Sequence, residues 1–84
     1  MRLVRMPRYF FNLHECGRVT EDGEGADVVD LSAARDRAIR EARAIICAEV
    51  TEGRLCLSCR IEVHDGDGRC VVAVPFREAV AASG

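Results

Sequence analysis

The fold is decided by residues 30–53, DLSAARDRAIREARAIICAEVTEG. Apolar residues recur in this stretch at helical spacing, which predicts one long amphipathic helix. Asp30 or Ser32 can cap its first turn, and Gly53 stands where the chain leaves the helix through a left-handed conformation. The predicted apolar face comprises Leu31, Ala38, Ile39, Ala42, Ile45, Ile46 and Val50. We expect this face to cover a sheet built from the flanking segments.

The segments on both sides of the helix alternate between apolar and polar residues, which is strand periodicity. The predicted strands are PRYFFNLH (7–14), Arg18–Thr20, RLCLSCRIEVH (54–64) and RCVVAVPF (69–76). DGDG (65–68) predicts a hairpin turn, and the acidic, glycine-containing residues 21–30 predict a solvated loop. The sequence therefore predicts an α+β domain of order ββαββ, in which a small antiparallel sheet carries one long helix on one face.

The length and composition limit what the chain can be. Its 84 residues allow a single domain, which we place at 6–80, with 1–5 as a possible extension and 81–84 as a frayed tail. Twelve basic residues, all arginine, and 14 acidic residues give a net charge of −2, unlike the basic domains that bind duplex nucleic acid. No signal-peptide pattern or membrane-length apolar run is present, so we expect a cytoplasmic protein without membrane contact.

The five cysteines raise the question of metal or thiol chemistry. An odd number of cysteines in a reducing compartment argues against a disulfide framework. If residues 54–64 form a strand, Cys56 and Cys59 point to opposite faces and cannot share a ligand. The sequence thus predicts that Cys59 is a buried apolar filler, that Cys56 is more accessible, and that there is no metal site.

Catalytic features are equally sparse. The sequence offers no nucleophile beside a base, no paired acid and base, and no phosphate-binding loop. We therefore predict no enzyme activity, no catalytic residue and no cofactor. The expected function is that of a small binding or regulatory module with an unidentified protein partner.

Two other interpretations remain open. The first is a small metal or redox protein, whose ligands or thiols are Cys16, Cys56, Cys59 and His64. His14 joins this set if the first and third predicted strands are neighbours. The second is a nucleic-acid-associated module that uses the arginine-bearing face of the helix, with Arg35, Arg37, Arg40 and Arg43. The acidic partners of two of these arginines make nucleic-acid contact the weaker interpretation.

The strand pattern also predicts self-association. One helix covers only one face of a sheet, yet apolar residues occur on both sides of two predicted strands. Phe10, Val72 and Val74 are therefore expected to form an exposed patch. Since a symmetric dimer is the commonest way to bury such a patch, we predict a homodimer.

Two segments of the chain resemble a known family. MPRYFFNLHECGRVTEDGEGADVVDLSAARDRAIREA and GRLCLSCRIEVHDGDGRCVVAVPFREAV are similar to short bacterial proteins grouped as a domain of unknown function. Members open with MPRYFF, continue through an acidic segment into a DL-containing helix, and end near VPF. The resemblance covers about residues 6–80 and implies that Met6, rather than Met1, is the usual start. It implies no activity, cofactor or site residue, and Cys56 and Cys59 are outside its pattern.

Overall fold

The structure, a computed structural model, describes residues 6–80. The predicted extension at 1–5 and the tail at 81–84 lie outside this range. The elements are β1 (Arg8–Glu15), β2 (Arg18–Thr20), β3 (Ala26–Asp27), α1 (Leu31–Thr51), β4 (Arg60–His64), β5 (Cys70–Pro75) and α2 (Phe76–Ala79). A small antiparallel sheet with one long helix packed against it confirms the predicted α+β fold.

β1 and β4 form the centre of the sheet. The strand order is β2-β1-β4-β5, and the short β3 pairs with the beginning of β1. In the register between β1 and β4, Phe11 lies opposite Val63 and Leu13 lies opposite Ile61. The first and third predicted strands are therefore neighbours, which the sequence left open.

β3 lies in the segment that the sequence predicts to be a solvated loop. The side chain of Asp22 organises this loop by accepting backbone hydrogen bonds from Phe11, Glu24 and Gly25, at 3.2, 3.2 and 3.1 Å. In return, Asn12 Oδ1 accepts a bond from the Asp22 N–H at 2.9 Å. The carboxylate thus holds the loop against β1 and allows the two-residue pairing that follows.

α1 has the predicted caps. Asp30 Oδ1 accepts a hydrogen bond from Ala33 N–H at 2.8 Å, and Gly53 has a positive φ of 83° just beyond the last turn. The buried face is narrower than predicted, because it follows an i, i+4 stripe of small residues: Ala34, Ala38, Ala42 and Ile46. Leu31 and Val50 are 43% and 56% exposed. These two residues lie in the first and last turns of α1, away from the buried stripe.

The core lies between α1 and the sheet. Three alanines of the helix have no exposed surface, so the helix backbone approaches the sheet closely. The sheet contributes the larger side chains, among them Phe11, Ile61 and Val63. α2 closes the end of this core with Phe76, whose backbone N–H donates to the carbonyl of Cys59 at 2.9 Å. This bond fixes the position of Cys59 in the chain entering β4.

β4 begins at Arg60, so the predicted strand over 54–64 is wrong in its first half. Leu55 and Leu57 are 49% and 45% exposed, whereas Ile61 and Val63 are buried as expected. The reason is that residues before Arg60 have no neighbouring strand to pair with. β1 ends at Glu15, and the β5 partner of Arg60 is a proline, the last residue of its strand.

The central strands are mainly polar on the sheet face opposite α1, contrary to the prediction of an apolar patch formed by Phe10, Val72 and Val74. This face carries Phe10, Asn12 and His14 of β1 and Arg60, Glu62 and His64 of β4. Val74 is 3% exposed and lies opposite the buried Ile61, while Val72 packs against the core opposite Val63. Since β4 places both valines on the helix side, Phe10, Val72 and Val74 do not share a surface.

Candidate metal centre

The chain between α1 and β4 brings two cysteines to one point. Leu57 and Ser58 form a turn between Cys56 and Cys59, so the two thiols are not on opposite faces of a strand. A turn that presents two cysteines three residues apart is the local geometry of many zinc sites. The prediction that Cys56 and Cys59 cannot share a ligand is therefore wrong, because it depended on a strand that starts later.

The hairpin between β1 and β2 supplies a third cysteine. Cys16 lies in this turn beside Gly17, whose φ of 70° allows the tight reversal. Its Sγ lies 3.2 Å from Cys56 Sγ, and the Sγ atoms of Cys16, Cys56 and Cys59 all lie within 4.8 Å of one another. We call these three residues the thiol cluster. It joins segments that are 40 residues apart in the sequence.

The three thiols differ in their access to solvent. Cys59 is 1% exposed and belongs to the hydrophobic core, whereas Cys56 is half-buried and Cys16 is exposed. The predicted order of accessibility for Cys56 and Cys59 is confirmed, although the turn, rather than strand alternation, produces it. The cluster thus has a fixed inner thiol and an outer side that a ligand can reach.

Hydrogen bonding and burial act in opposite directions on two of these thiols. Hydrogen bonds from the Ser58 hydroxyl, then from the thiols of Cys59 and Cys16, lower the pKa of Cys56 to about 7. Burial raises the pKa of Cys59 to about 12, and the neighbouring Cys56 adds to the increase. Cys56 is therefore the more acidic of the two thiols, and Cys59 gives up its proton to a bound cation less readily.

An open cavity of about 230 Å³ lies beside the thiol cluster. Cys16 and Ser58 form part of its wall, together with His14, Arg18 and Arg60. The Ser58 hydroxyl lies 3.1 Å from Cys56 Sγ and 3.7 Å from Cys16 Sγ. It is placed to donate a hydrogen bond to sulfur, which would orient a thiolate ligand from the second coordination shell.

The remaining candidate residues fall elsewhere. Cys47 and Cys70 are exposed and are not members of the thiol cluster. The mixed set of histidines and cysteines is not formed as one site, even though its two strands are neighbours. His14 and His64 instead converge on Glu62, a residue that the sequence prediction did not include. Glu62 and His64 of β4 meet His14 only through the pairing of β4 with β1, and neither strand alone gives a signal for this contact.

The arginine-bearing face of α1 is partly engaged within the chain. Arg37 lies 3.6 Å from Glu41 and stacks over the ring of Phe11 at 5.4 Å from its centroid. Arg43 donates a hydrogen bond to the carbonyl of Ala79 in α2. Two of the four arginines therefore have structural partners, which leaves less of this face for phosphate groups.

The family profile described as domain of unknown function DUF6894 matches residues 8–77. The chain belongs to this family. The matched range includes the whole sheet, α1 and the thiol cluster. No curated protein and no solved structure matches the chain. Among the described residues, neither helix has the length and apolar character needed to cross a bilayer.

Proposed function

We propose that this domain is a small, non-catalytic metal-binding module, which holds a thiophilic ion of the zinc class through Cys16, Cys56 and Cys59. The observation that carries the proposal is the convergence of three sulfur atoms within 4.8 Å from two distant segments. Thiolate sulfur is the ligand that zinc and other soft ions prefer in proteins.

The spacing of the sulfur atoms fits such an ion. A zinc–sulfur bond of about 2.3 Å in tetrahedral geometry places two sulfur ligands about 3.8 Å apart. The distance between Cys16 Sγ and Cys56 Sγ is 3.2 Å, and 4.8 Å is the upper limit for the three pairs. Sub-ångström side-chain adjustments in the turn and in the hairpin are enough to reach the ideal distances.

A dithiol redox function explains less of the geometry. A disulfide needs two sulfur atoms about 2.05 Å apart and leaves a third cysteine without a role. In the thiol cluster the third cysteine, Cys59, is the best fixed of the three, because its carbonyl accepts a hydrogen bond from Phe76 N–H. Metal binding uses all three sulfur atoms, so we favour it over disulfide exchange.

A bound ion would link two loops that otherwise meet through contacts between their thiol and hydroxyl groups. The three sulfur ligands leave a fourth position on the cavity side, where water or a small ligand can bind. Metal binding therefore couples the β1–β2 hairpin to residues 54–59 and stabilises both. Such a metal-dependent change is suited to a regulatory role, and the cytoplasm, as a reducing compartment, would keep the thiols available.

Titration with Co²⁺, followed by its thiolate charge-transfer absorption, tests this proposal. We expect the charge-transfer band to saturate at one Co²⁺ per chain and to disappear when Zn²⁺ displaces that ion. Cys16→Ser changes an exposed residue and should abolish the charge-transfer band or weaken binding at least tenfold, which corresponds to about 1.4 kcal/mol.

Cys47→Ser and Cys70→Ser are the matched controls, because both residues are exposed and lie outside the thiol cluster. They should bind Co²⁺ like the unmodified protein. Equal binding by Cys16→Ser and Cys47→Ser, or no charge-transfer band in any variant, would exclude the proposed site.

A further inference from the structure

A second cluster of potential ligands lies on the polar face of the sheet. It consists of His14 in β1 and Glu62 and His64 in β4. His14 Nε2 lies 3.2 Å from Glu62 Oε1, and His64 Nε2 lies 3.1 Å from the same oxygen. The three side chains are 21%, 17% and 23% exposed, so they are largely desolvated but reachable from solvent. This cluster shares no residue with the thiol cluster.

The surroundings of His64 are suited to metal binding through Nε2. Its Nδ1 lies 3.2 Å from the carbonyl oxygen of Gly68, which can only accept a hydrogen bond. When Nδ1 donates a hydrogen bond to this oxygen, the ring presents Nε2 as an electron-pair donor. This electron pair points at a carboxylate oxygen of Glu62. A metal ion held by both atoms would take the place of this direct contact between Nε2 and Glu62.

Arg60 orients the carboxylate that both histidines face. Arg60 Nε donates to Glu62 Oε2 at 2.7 Å, which leaves Oε1 directed at the imidazoles. A hydrogen-bonded partner on the distant oxygen of a carboxylate ligand is the usual second-shell arrangement of a metal site. The Gly68 carbonyl plays the same part for His64, since it fixes the ring orientation through Nδ1.

One contact opposes metal binding and should lower the affinity of the site. An Arg60 terminal nitrogen lies 3.4 Å from His14 Nδ1, a long distance for a hydrogen bond. When His14 binds a metal through Nε2, its Nδ1 is protonated and this weak contact is lost. The positive charge of Arg60 also repels a cation. We therefore expect this site to bind more weakly than the thiol cluster.

We propose that His14, Glu62 and His64 form a second, independent site for a borderline divalent ion, bound through two imidazole nitrogens and one carboxylate oxygen. Imidazole ligands suit Ni²⁺ and Zn²⁺, and none of the three ligands is sulfur, although the Cys70 thiol lies beside Glu62. The remaining coordination positions face outward from the sheet. The site takes water or an imidazole or carboxylate group of a partner there.

The test uses the full chain carrying Cys16→Ser and Cys56→Ser, two substitutions outside the core that disable the thiol cluster. Paramagnetic Ni²⁺ is added, and the NMR signals of both imidazole rings are followed. The chain has two histidines, so their signals are readily assigned. We expect both rings to broaden together at substoichiometric Ni²⁺, and calorimetry to give one ion per chain.

His64→Ala in the same background should weaken Ni²⁺ binding at least tenfold, while Glu41→Gln, which changes a carboxylate of α1, should leave it unchanged. The NMR result on the unaltered cluster does not depend on whether His64→Ala folds. Broadening of neither ring, or of one ring alone, would overturn the proposal. Its failure is distinct from failure of the thiol site, which is disabled in this background.

Discussion

Replacement of Asp22 by alanine should destabilise the domain by about 2–3 kcal/mol. The carboxylate accepts three backbone hydrogen bonds, and one of the donors, the N–H of Phe11, lies in a partly buried strand. The bond from Gly25 is part-buried as well, and leaving a buried donor without a partner costs about 1–3 kcal/mol, whereas water can replace the acceptor for the exposed N–H of Glu24 at smaller cost. The sum is a large fraction of the stability of so small a domain.

The effect should depend on pH in a defined direction. Burial alone would raise the pKa of Asp22, but the hydrogen bonds from Gly25, Phe11 and Glu24 and the charge of Arg37 outweigh it and lower the pKa. A lowered pKa in the folded state means that the charged carboxylate stabilises the fold above the unfolded pKa of about 3.9. This contribution is lost as the pH falls through the folded pKa.

Urea unfolding of the unmodified protein, compared with that of the variants Asp22→Ala and Glu24→Ala, measures both effects. Glu24 is an exposed neighbour whose carboxylate is not part of this set of bonds, so its replacement should change the free energy of unfolding by less than about 0.5 kcal/mol. The difference in free energy of unfolding between Asp22→Ala and the unmodified protein should become smaller in acid. Equal losses for both variants, or a difference that widens in acid, would refute the role given to Asp22.

Gly25→Ala should lower the free energy of unfolding by about 2 kcal/mol or more, because φ at Gly25 is 72° and the new methyl group would lie 2.9 Å from the ring of Phe10. Gly23→Ala, where the new methyl group has open space, should change it little, and thermal unfolding compares the two variants. In metal-free protein, the alkylation rate of Cys56 should reach half its maximum near pH 7, and a rate that still rises steeply well above neutral pH would contradict the lowered pKa. Cys59, which is buried, should react only when the protein unfolds. The homodimer stays a prediction, although the patch proposed for it does not form; a 9.2 kDa particle in light scattering at micromolar concentration would contradict it.

The order and type of the main elements could be predicted because their signals are local. The capping residue Asp30, the exit at Gly53 and the DGDG turn each specify a backbone geometry within a few residues. All three appear in the structure: the Asp30 side chain caps α1, and Gly53 and Gly68 have positive φ.

The sequence named Cys16, Cys56 and Cys59 among the candidate ligands of one open interpretation, but their convergence could not be derived from it, because it depends on where one strand begins. The alternation of residues 54–64 continues through Cys56 and Cys59, but pairing starts at Arg60, where a neighbouring strand first becomes available. Periodicity in a sequence reports which residues can be buried together, and it does not report where a partner strand ends. The contribution of Cys16 is likewise a long-range contact.

The same limit applies to the second face of the sheet. The pairing register places Val72 and Val74 with the core, so the apolar patch predicted on the other face does not form. The cluster of His14, Glu62 and His64 arises from that register as well, because it brings two polar positions of β4 beside one of β1. Single-strand alternation cannot show which of the two faces a neighbouring strand will share.

X-ray absorption spectroscopy of the protein loaded with one equivalent of Zn²⁺ tests the central claim most directly, since it counts the sulfur atoms bound to the ion. The account predicts three sulfur neighbours at about 2.3 Å, supplied by Cys16, Cys56 and Cys59. Coordination by nitrogen and oxygen alone, or a chain that retains no zinc after removal of excess metal, would contradict it.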